Sequence, residues 1–198
     1  MENLEKLNSG VKEFFNTRAE KFNNDFLDRQ NKAKSILDLH LIKGGEKVLD
    51  IACGTGVLED VLLQFGVGEI VAIDISENMI EYAKQLNTSE KVTFLATDIY
   101  SFTGSGFDTA IIYSAYPHLL DKAKLVQKLN KVLKAGGRFI IMHSTGYKSL
   151  NEMHSSLNEK LYLPLKPAKK ECKIFESCFD IDVIIDTEER YVISGVKK

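Results

Sequence analysis

The sequence is short of cysteine, of net charge and of long apolar runs. Its 198 residues include three cysteines, Cys53, Cys172 and Cys178, and no pair of them has the CxxC spacing of a zinc or redox site. An odd number without such spacing argues against a disulfide framework and favours a reducing compartment. We therefore expect a cytoplasmic protein without a metal centre.

Neither charge nor hydropathy indicates a nucleic acid or a membrane as partner. Lys and Arg number 26 against 28 Asp and Glu, and a net charge of −2 leaves no basic footprint for duplex nucleic acid. Residues 1–20 alternate charged and apolar side chains, which predicts neither a signal peptide nor a membrane span. No repeat, low-complexity tract or linker interrupts the chain, so we expect one domain over residues 1–198.

Apolar runs that alternate with helical segments predict an α/β fold whose parallel sheet is buried on both faces. The last two strands are joined only by a short acidic turn, so they must form an antiparallel hairpin. The predicted strands cover residues 47–52, 69–74, 91–96, 107–113, 138–143, 181–186 and 191–196. The predicted helices cover residues 10–24, 25–41, 57–65, 77–85, 121–133, 147–161 and 168–178.

An acid and a loop of small residues follow the first predicted strand, over Asp50-Ile51-Ala52-Cys53-Gly54-Thr55-Gly56. Glycines allow a ligand to approach the backbone closely, while the Asp50 carboxylate repels a pyrophosphate and attracts a cationic group. The loop therefore favours S-adenosylmethionine over NAD. The terminal hairpin and the missing third glycine, where Glu59 stands, also argue against a nicotinamide-dependent oxidoreductase.

Several segments, in order, resemble the class I S-adenosylmethionine-dependent methyltransferases, and in particular their small-molecule branch. Residues 50–56 resemble the first motif of that family. Asp74 ends the second strand where the family's acid holds the ribose hydroxyls, and Asp98 matches the acid that contacts the adenine amine. Residues 133–139 resemble the turn before strand five, and residues 14–22 resemble the lid helix.

The resemblance implies a three-layer Rossmann-like fold with a seven-stranded, mostly parallel sheet and a C-terminal antiparallel hairpin. It also implies N-terminal lid helices over residues 1–41 and a substrate cover over residues 144–168. Ala52 and Ala135 depart from the pattern, because the family often has glycine and proline at those positions. The cofactor-binding residues it implies are Phe14, Arg18, Asp50, Ala52, Cys53, Gly54, Gly56, Asp74, Ile75, Met79, Thr97, Asp98, Ile99, Ser114 and Ala115.

Three of the four histidines, His118, His143 and His154, fall in the predicted acceptor region beyond strands four and five. We expect at least one to contact the acceptor, as an acid or base or as polar lining. No carboxylate or cysteine joins them at ligand spacing, which disfavours a metal site.

Together these features predict transfer of a methyl group from S-adenosylmethionine to a small molecule by in-line displacement, with S-adenosylhomocysteine as product. A non-catalytic S-adenosylmethionine-binding protein and an NAD-dependent oxidoreductase remain as alternatives. The expected assembly is a monomer or a homodimer, with no nucleic acid or membrane as partner.

Overall fold

The computed structural model describes residues 2–20, 25–39, 41–158 and 160–198, with side chains from Asn8 onward. The strands are β1 (Lys47–Ile51), β2 (Glu69–Asp74), β3 (Val92–Ala96), β4 (Phe107–Tyr113), β5 (Leu133–His143), β6 (Phe179–Asp186) and β7 (Tyr191–Lys197). The α-helices are α1 (Glu2–Asn16), α2 (Phe26–Leu37), α3 (Glu59–Gln64), α4 (Glu77–Leu86), α5 (Lys122–Val132), α6 (Tyr147–His154) and α7 (Ala168–Glu171). Short 3₁₀ turns cover Tyr116–His118 and Cys172–Ile174.

The strands form one sheet in the order β3-β2-β1-β4-β5-β7-β6. The five strands from β3 to β5 run parallel, and β7 runs antiparallel to both β5 and β6. The predicted seven-stranded sheet with a C-terminal hairpin is therefore confirmed. Strand order reverses between β1 and β4, and such a switch point leaves a crevice at the carboxyl ends of the strands.

Two apolar clusters, one on each face of the sheet, make up the core. Helices α2, α3 and α4 contribute Ile36, Leu62 and Ala83 to one cluster. Helix α5 and the segment after α7 contribute Leu125 and Phe175 to the other. Since both faces are covered, the central strands read as continuous apolar runs instead of alternating ones.

Strand β5 begins at Leu133, earlier than the predicted start at residue 138. Leu133 pairs with Phe107, whereas Arg138 pairs with Thr109, so the intervening residues bulge out of the ladder. A Cβ atom at position 137 would lie 3.0 Å from the Lys134 carbonyl oxygen, which explains the glycine there. Gly136 and Gly137 therefore lie in a bulge inside β5, and the turn predicted before this strand was wrong.

Several helix boundaries also differ from the prediction. Helix α1 covers Glu2–Asn16 instead of residues 10–24, of which residues 21–24 lie outside the described chain. Helix α6 ends at His154 instead of residue 161. Just after this end, the Ser155 hydroxyl donates to the Glu152 carbonyl oxygen at 2.7 Å. The helix predicted over residues 168–178 is the four-residue α7 followed by a 3₁₀ turn.

In the part of the chain that the structure describes, no helix is both long and apolar enough to span a membrane. Cys53, Cys172 and Cys178 are all free thiols.

Candidate active site

A cavity opens at the carboxyl ends of β1, β2 and β4, at the switch point of the sheet. Ligands of open α/β sheets bind in the crevice at such a switch point. Phe14, Arg18 and Gly56 are the predicted cofactor residues outside its lining. Those that line it are Asp50, Ala52, Cys53, Gly54, Asp74, Ile75, Met79, Thr97, Asp98, Ile99, Ser114 and Ala115.

The loop after β1 turns sharply around three positions with left-handed backbone. Ala52, Gly54 and Gly56 have φ angles of 59°, 58° and 85°. Ala52 adopts this conformation at some cost, because its Cβ disfavours it, whereas a glycine would not. A Cβ atom at position 56 would lie 3.3 Å from the Ala83 Cβ atom. Gly56 therefore permits close packing of α4 against the loop, while Gly54 faces the cavity.

The Asp74 carboxylate joins the ends of β1 and β2. Its two oxygens accept hydrogen bonds from the backbone N–H groups of Ser76 and Gly54, at 2.8 and 2.9 Å. Burial raises the pKa of Asp74 to about 6, although these hydrogen bonds oppose the rise. Each carboxylate oxygen keeps a second lone pair, so Asp74 can still accept from a ligand hydroxyl in the cavity.

Helix α1 lies over the cavity and is held to the loops after β2 and β3. The Asn8 side-chain amide donates to the Asp98 carboxylate at 2.6 Å. At the other end of the helix, Asn16 accepts from the Ser76 hydroxyl at 2.5 Å and from the Asn78 amide at 3.1 Å. These contacts place Asn8 in the cavity lining, together with apolar residues of the same helix.

Two buried carboxyl groups, those of Asp50 and Glu59, lie beneath the loop. The side chain of Asp50 is 1% exposed and lines the cavity, whereas Glu59 is 0% exposed and stands behind it. None of their four oxygens receives a hydrogen bond from an N–H or O–H group among the described residues. Burial, followed by the charge of Glu59, raises the pKa of Asp50 well above its usual range. Burial likewise raises the pKa of Glu59 to about 7, although the backbone N–H groups of Glu59 and Leu58 and the Asp50 side chain oppose the rise.

His118 is the predicted histidine that lines the cavity. Its Nδ1 atom lies 2.8 Å from the Leu161 carbonyl oxygen, which can only accept, so Nδ1 carries the proton of the neutral ring. The Nε2 atom then holds a lone pair. Burial lowers the pKa of His118 to about 4, so the imidazole is neutral at physiological pH. Phe15 contacts its ring edge to face, with centroids 5.0 Å apart.

The other two histidines lie outside the cavity lining, in different surroundings. The rings of His154 and His118 meet edge to face with centroids 5.1 Å apart, and the His154 ring also stacks on Tyr162 with centroids 5.3 Å apart. His143, at the end of β5, is 1% exposed and packs near Tyr191. Neither ring nitrogen of His143 has a partner among the described residues, and burial lowers its pKa to about 3. The structure thus brings His118 and His154 together and separates His143 from the cavity.

Phe14 and Arg18 lie on the lid helix and its exit turn, beside the cavity and not in its wall. The Arg18 guanidinium sits 3.8 Å from the centre of the Phe14 ring and donates to the Phe14 carbonyl oxygen. This arrangement is a local cation–π contact on the surface of α1. Their role in cofactor binding stays a prediction.

The sequence did not single out Arg29 or Tyr113 as binding residues, although both line the cavity. The Tyr113 hydroxyl donates to the Arg29 carbonyl oxygen at 3.0 Å, which ties α2 to the end of β4. Tyr113 could have been found from its place at a strand end. No local pattern marks Arg29, because its position depends on how α2 packs on the sheet.

Over residues 2–20, 25–39, 41–158 and 160–198, no group of three or more His, Cys, Asp or Glu side chains is arranged to hold a metal ion.

Comparison with known proteins identifies the family. A family described as "Methyltransferase domain" matches residues 42–192, well over half of the chain. The chain belongs to this methyltransferase family. The resemblance drawn from the motifs is therefore confirmed at the level of the family.

The methyltransferase domain has relatives of several kinds. Demethylmenaquinone methyltransferase of Paenarthrobacter aurescens is 30% identical over 70% of this chain and 56% of its own length. Magnesium protoporphyrin IX methyltransferase of Synechocystis, solved with S-adenosylhomocysteine, superposes with a TM-score of 0.72 at 19% identity over 97% of this chain and 100% of its own. A Haloferax volcanii methyltransferase, solved in complex with the Trm112 activator, superposes with a TM-score of 0.80. It is 15% identical over 92% of this chain and 97% of its own. At these identities the solved structures show the fold alone.

The chain spans about half the length of the curated relatives it matches. It covers 56% of the Paenarthrobacter demethylmenaquinone methyltransferase and 55% of a malonyl-[acyl-carrier protein] O-methyltransferase of Acetivibrio thermocellus. Family and fold are therefore established, and the activity of the whole protein is argued below.

Proposed function

We propose that this methyltransferase domain binds S-adenosylmethionine in the switch-point cavity and transfers its methyl group to a small-molecule acceptor. The observation that carries the proposal is Asp50, a buried carboxyl group in the cavity wall without a hydrogen-bond donor from the described chain. An unsatisfied buried carboxyl group at a ligand site fits a cationic ligand. It does not fit the anionic pyrophosphate of NAD.

The other predicted cofactor residues support the same orientation of the ligand. Asp98, beside α1, is the candidate for the adenine amine, and Asp74 is the candidate for the ribose hydroxyls. Gly54 lines the same cavity, and a Cβ atom built there meets no atom within 4 Å, so the loop can carry a ligand against its backbone. Arg29 lines the same wall and is the candidate partner of the methionine carboxylate.

S-adenosylmethionine supplies an electrophilic methyl group: the acceptor–carbon bond forms as the carbon–sulfur bond breaks, and S-adenosylhomocysteine leaves. The protein's main contribution is to align the two reactants and to exclude water, which can supply roughly 7–11 kcal/mol in favourable cases. An O–H or N–H acceptor also loses a proton. His118 lines the cavity, and the lone pair of its Nε2 atom is the candidate to receive this proton.

A compact acceptor is the substrate class that the chain favours. Phe15, Ser114, Ala115 and Leu119 line the cavity with His118 and are small or apolar apart from the Ser114 hydroxyl. The net charge of −2 provides no basic face for a nucleic acid. The three free thiols support a reducing, cytoplasmic setting, and we expect a monomer or homodimer.

A radiolabelling experiment tests the proposal. The purified chain is incubated with S-adenosylmethionine labelled in the methyl group and with a fractionated metabolite extract, and calorimetry measures the affinities for S-adenosylhomocysteine and NAD. We expect label in a small molecule, and binding of S-adenosylhomocysteine but not of NAD. Binding without transfer would indicate a non-catalytic protein, and binding of NAD alone would indicate an oxidoreductase; either outcome overturns the proposal.

A further inference from the structure

The carboxyl oxygens of Asp50 and Glu59 are buried and have no hydrogen-bond partner among the described residues. The two carboxyl groups are both buried, and each shifts the pKa of the other. A second ionised carboxylate beside the first is strongly disfavoured in such buried surroundings. A protonated carboxyl group can donate a hydrogen bond to its ionised neighbour, so one shared proton stabilises the pair.

The two members of the pair differ in their access to a ligand. Asp50 lines the cavity, whereas Glu59 is buried behind it at the start of α3. A Cβ atom at position 56 would lie 3.3 Å from Glu59 Oε2, so the glycine leaves room for the Glu59 carboxyl group under the loop. A ligand therefore meets Asp50 first and acts on Glu59 only through it.

We propose that Glu59 is a positioning residue for the methyl donor: it shares a proton with Asp50 in the free protein, and a proton leaves the pair when the ammonium group of the donor's methionine moiety binds to Asp50. The inference rests on the proposed binding of S-adenosylmethionine and adds a proton linkage to it. It makes the affinity for the donor and for S-adenosylhomocysteine depend on pH, whereas a nucleoside without the amino acid would bind without this dependence.

Other titratable or charged groups also face the pair or the same cavity, and Asp98, Tyr100 and Tyr113 are among those that line it. Asp74 holds two backbone N–H groups and contacts the ribose in the proposed site. Burial keeps the pKa of the Cys53 thiol well above its usual value, so it stays protonated. Asp60 is exposed on α3 and accepts from the Asn87 amide at 2.6 Å. Arg29 remains charged at every relevant pH, and His118 is neutral above about pH 5.

Calorimetry in buffers of different ionisation enthalpy measures the protons released on binding. The two ligands are S-adenosylhomocysteine and 5′-methylthioadenosine, which keeps the nucleoside and sulfur but lacks the amino acid. At about pH 6.5 a free α-amino group is already mostly protonated, so the ligand's own amine contributes little. Because both ligands carry the ribose that contacts Asp74, the difference between them reports on the amino acid chain alone.

We expect S-adenosylhomocysteine to release about half to one proton more than 5′-methylthioadenosine, and its Kd to fall roughly three- to tenfold between about pH 5.5 and 6.5. Glu59→Gln supplies an amide N–H donor to an ionised Asp50, so it should abolish the extra proton release and flatten the pH dependence. Glu81→Gln makes the same substitution at an exposed position of α4 and should leave both quantities unchanged.

The outcomes separate this inference from the proposed function. Equal proton release with both ligands in the wild-type protein, or undiminished release in Glu59→Gln, overturns the proton linkage while the binding of the cofactor stands. Failure of S-adenosylhomocysteine to bind at any pH between about 5.5 and 8.5 overturns the proposed function itself. The wild-type comparison of ligands needs no variant, so the test does not depend on how well Glu59→Gln folds.

Discussion

The Asn8 side-chain amide donates to Asp98 Oδ2 at 2.6 Å, which joins the N-terminal helix to the loop after β3. The other oxygen of Asp98 accepts from the Tyr100 backbone N–H group at 3.0 Å. Asp98 is therefore oriented from two sides, and it still has lone pairs for an adenine amine. In this arrangement one acid serves both the proposed cofactor site and the helix that covers it.

The first prediction concerns this contact. Asn8→Ala removes a hydrogen bond to a charged group and should raise the Kd of S-adenosylhomocysteine about three- to tenfold, because α1 is held less firmly over the site. Asn8→Asp should raise it further, since two carboxylates would then face each other. Calorimetry measures both. Ser9→Ala, on the exposed side of the same helix, is the matched control, and equal affinities in all four proteins would show that Asn8 does not support binding.

The second prediction concerns the proposed base. His118→Gln can still donate to the Leu161 carbonyl oxygen but lacks the basic lone pair. With an O–H or N–H acceptor identified by radiolabelling, kcat should fall by about 10²-fold or more, while the Kd of S-adenosylhomocysteine changes by less than about threefold. His154→Gln, next to it but outside the lining, should reduce kcat much less. A parallel loss of turnover and cofactor affinity in His118→Gln would instead assign His118 to the shape of the pocket.

The third prediction concerns Arg29, on α2. If its guanidinium binds the methionine carboxylate, Arg29→Leu should weaken S-adenosylhomocysteine by about tenfold or more and leave 5′-methylthioadenosine nearly unaffected, because the latter has no carboxylate. Lys32→Leu makes the same change of charge on an exposed part of the same helix and should alter neither affinity. An equal loss for both ligands would mean that Arg29 supports the cavity wall instead of binding the carboxylate.

The fourth prediction concerns the stability of the free protein as a function of pH. Burial raises the pKa of Glu59 to about 7, so the folded state binds more protons than the unfolded state, and stability falls as pH rises from about 4.5 to 7. Burial lowers the pKa of His143 to about 3, so stability falls as pH drops from about 6.5 towards 3. Each effect is on the order of a few kcal/mol when complete.

Urea unfolding of the ligand-free protein across this pH range checks both effects. Glu59→Gln should flatten the decline at higher pH, and His143→Leu should flatten the decline at lower pH. Each flattening is partial, because Asp50 and Asp74 act in the same direction as Glu59, and His118 acts in the same direction as His143. If the free energy of unfolding varied with pH in both variants as it does in the wild type, then the pKa values of Glu59 and His143 would not be shifted in the folded protein.

The sheet and one wall of the site could be predicted from the sequence, because both follow from local pattern. Apolar runs define the strands, and residues that end parallel strands meet at one edge of the sheet. Asp50, Asp74 and Asp98 therefore come together at the cavity, as expected from their places in the chain.

The remaining wall depends on packing between distant segments. His118 follows β4 and His143 ends β5, yet His143 is buried near Tyr191 of β7, whereas His118 lines the cavity. Asn8 and Arg29 reach the site because two helices dock on the sheet, which the periodicity of those helices does not encode. Glu59 was noted only as a missing glycine, and its meaning came from its burial next to Asp50.

The most direct test of the account is transfer of label from methyl-labelled S-adenosylmethionine into the low-molecular-weight fraction of a metabolite extract, compared between the wild type and Asp50→Asn. The account predicts label in a small molecule with the wild type, and a loss of about tenfold or more with Asp50→Asn, since the variant lacks the carboxylate that faces the ligand's ammonium group. Label found only in macromolecules, or no transfer at all by the wild type, would contradict it.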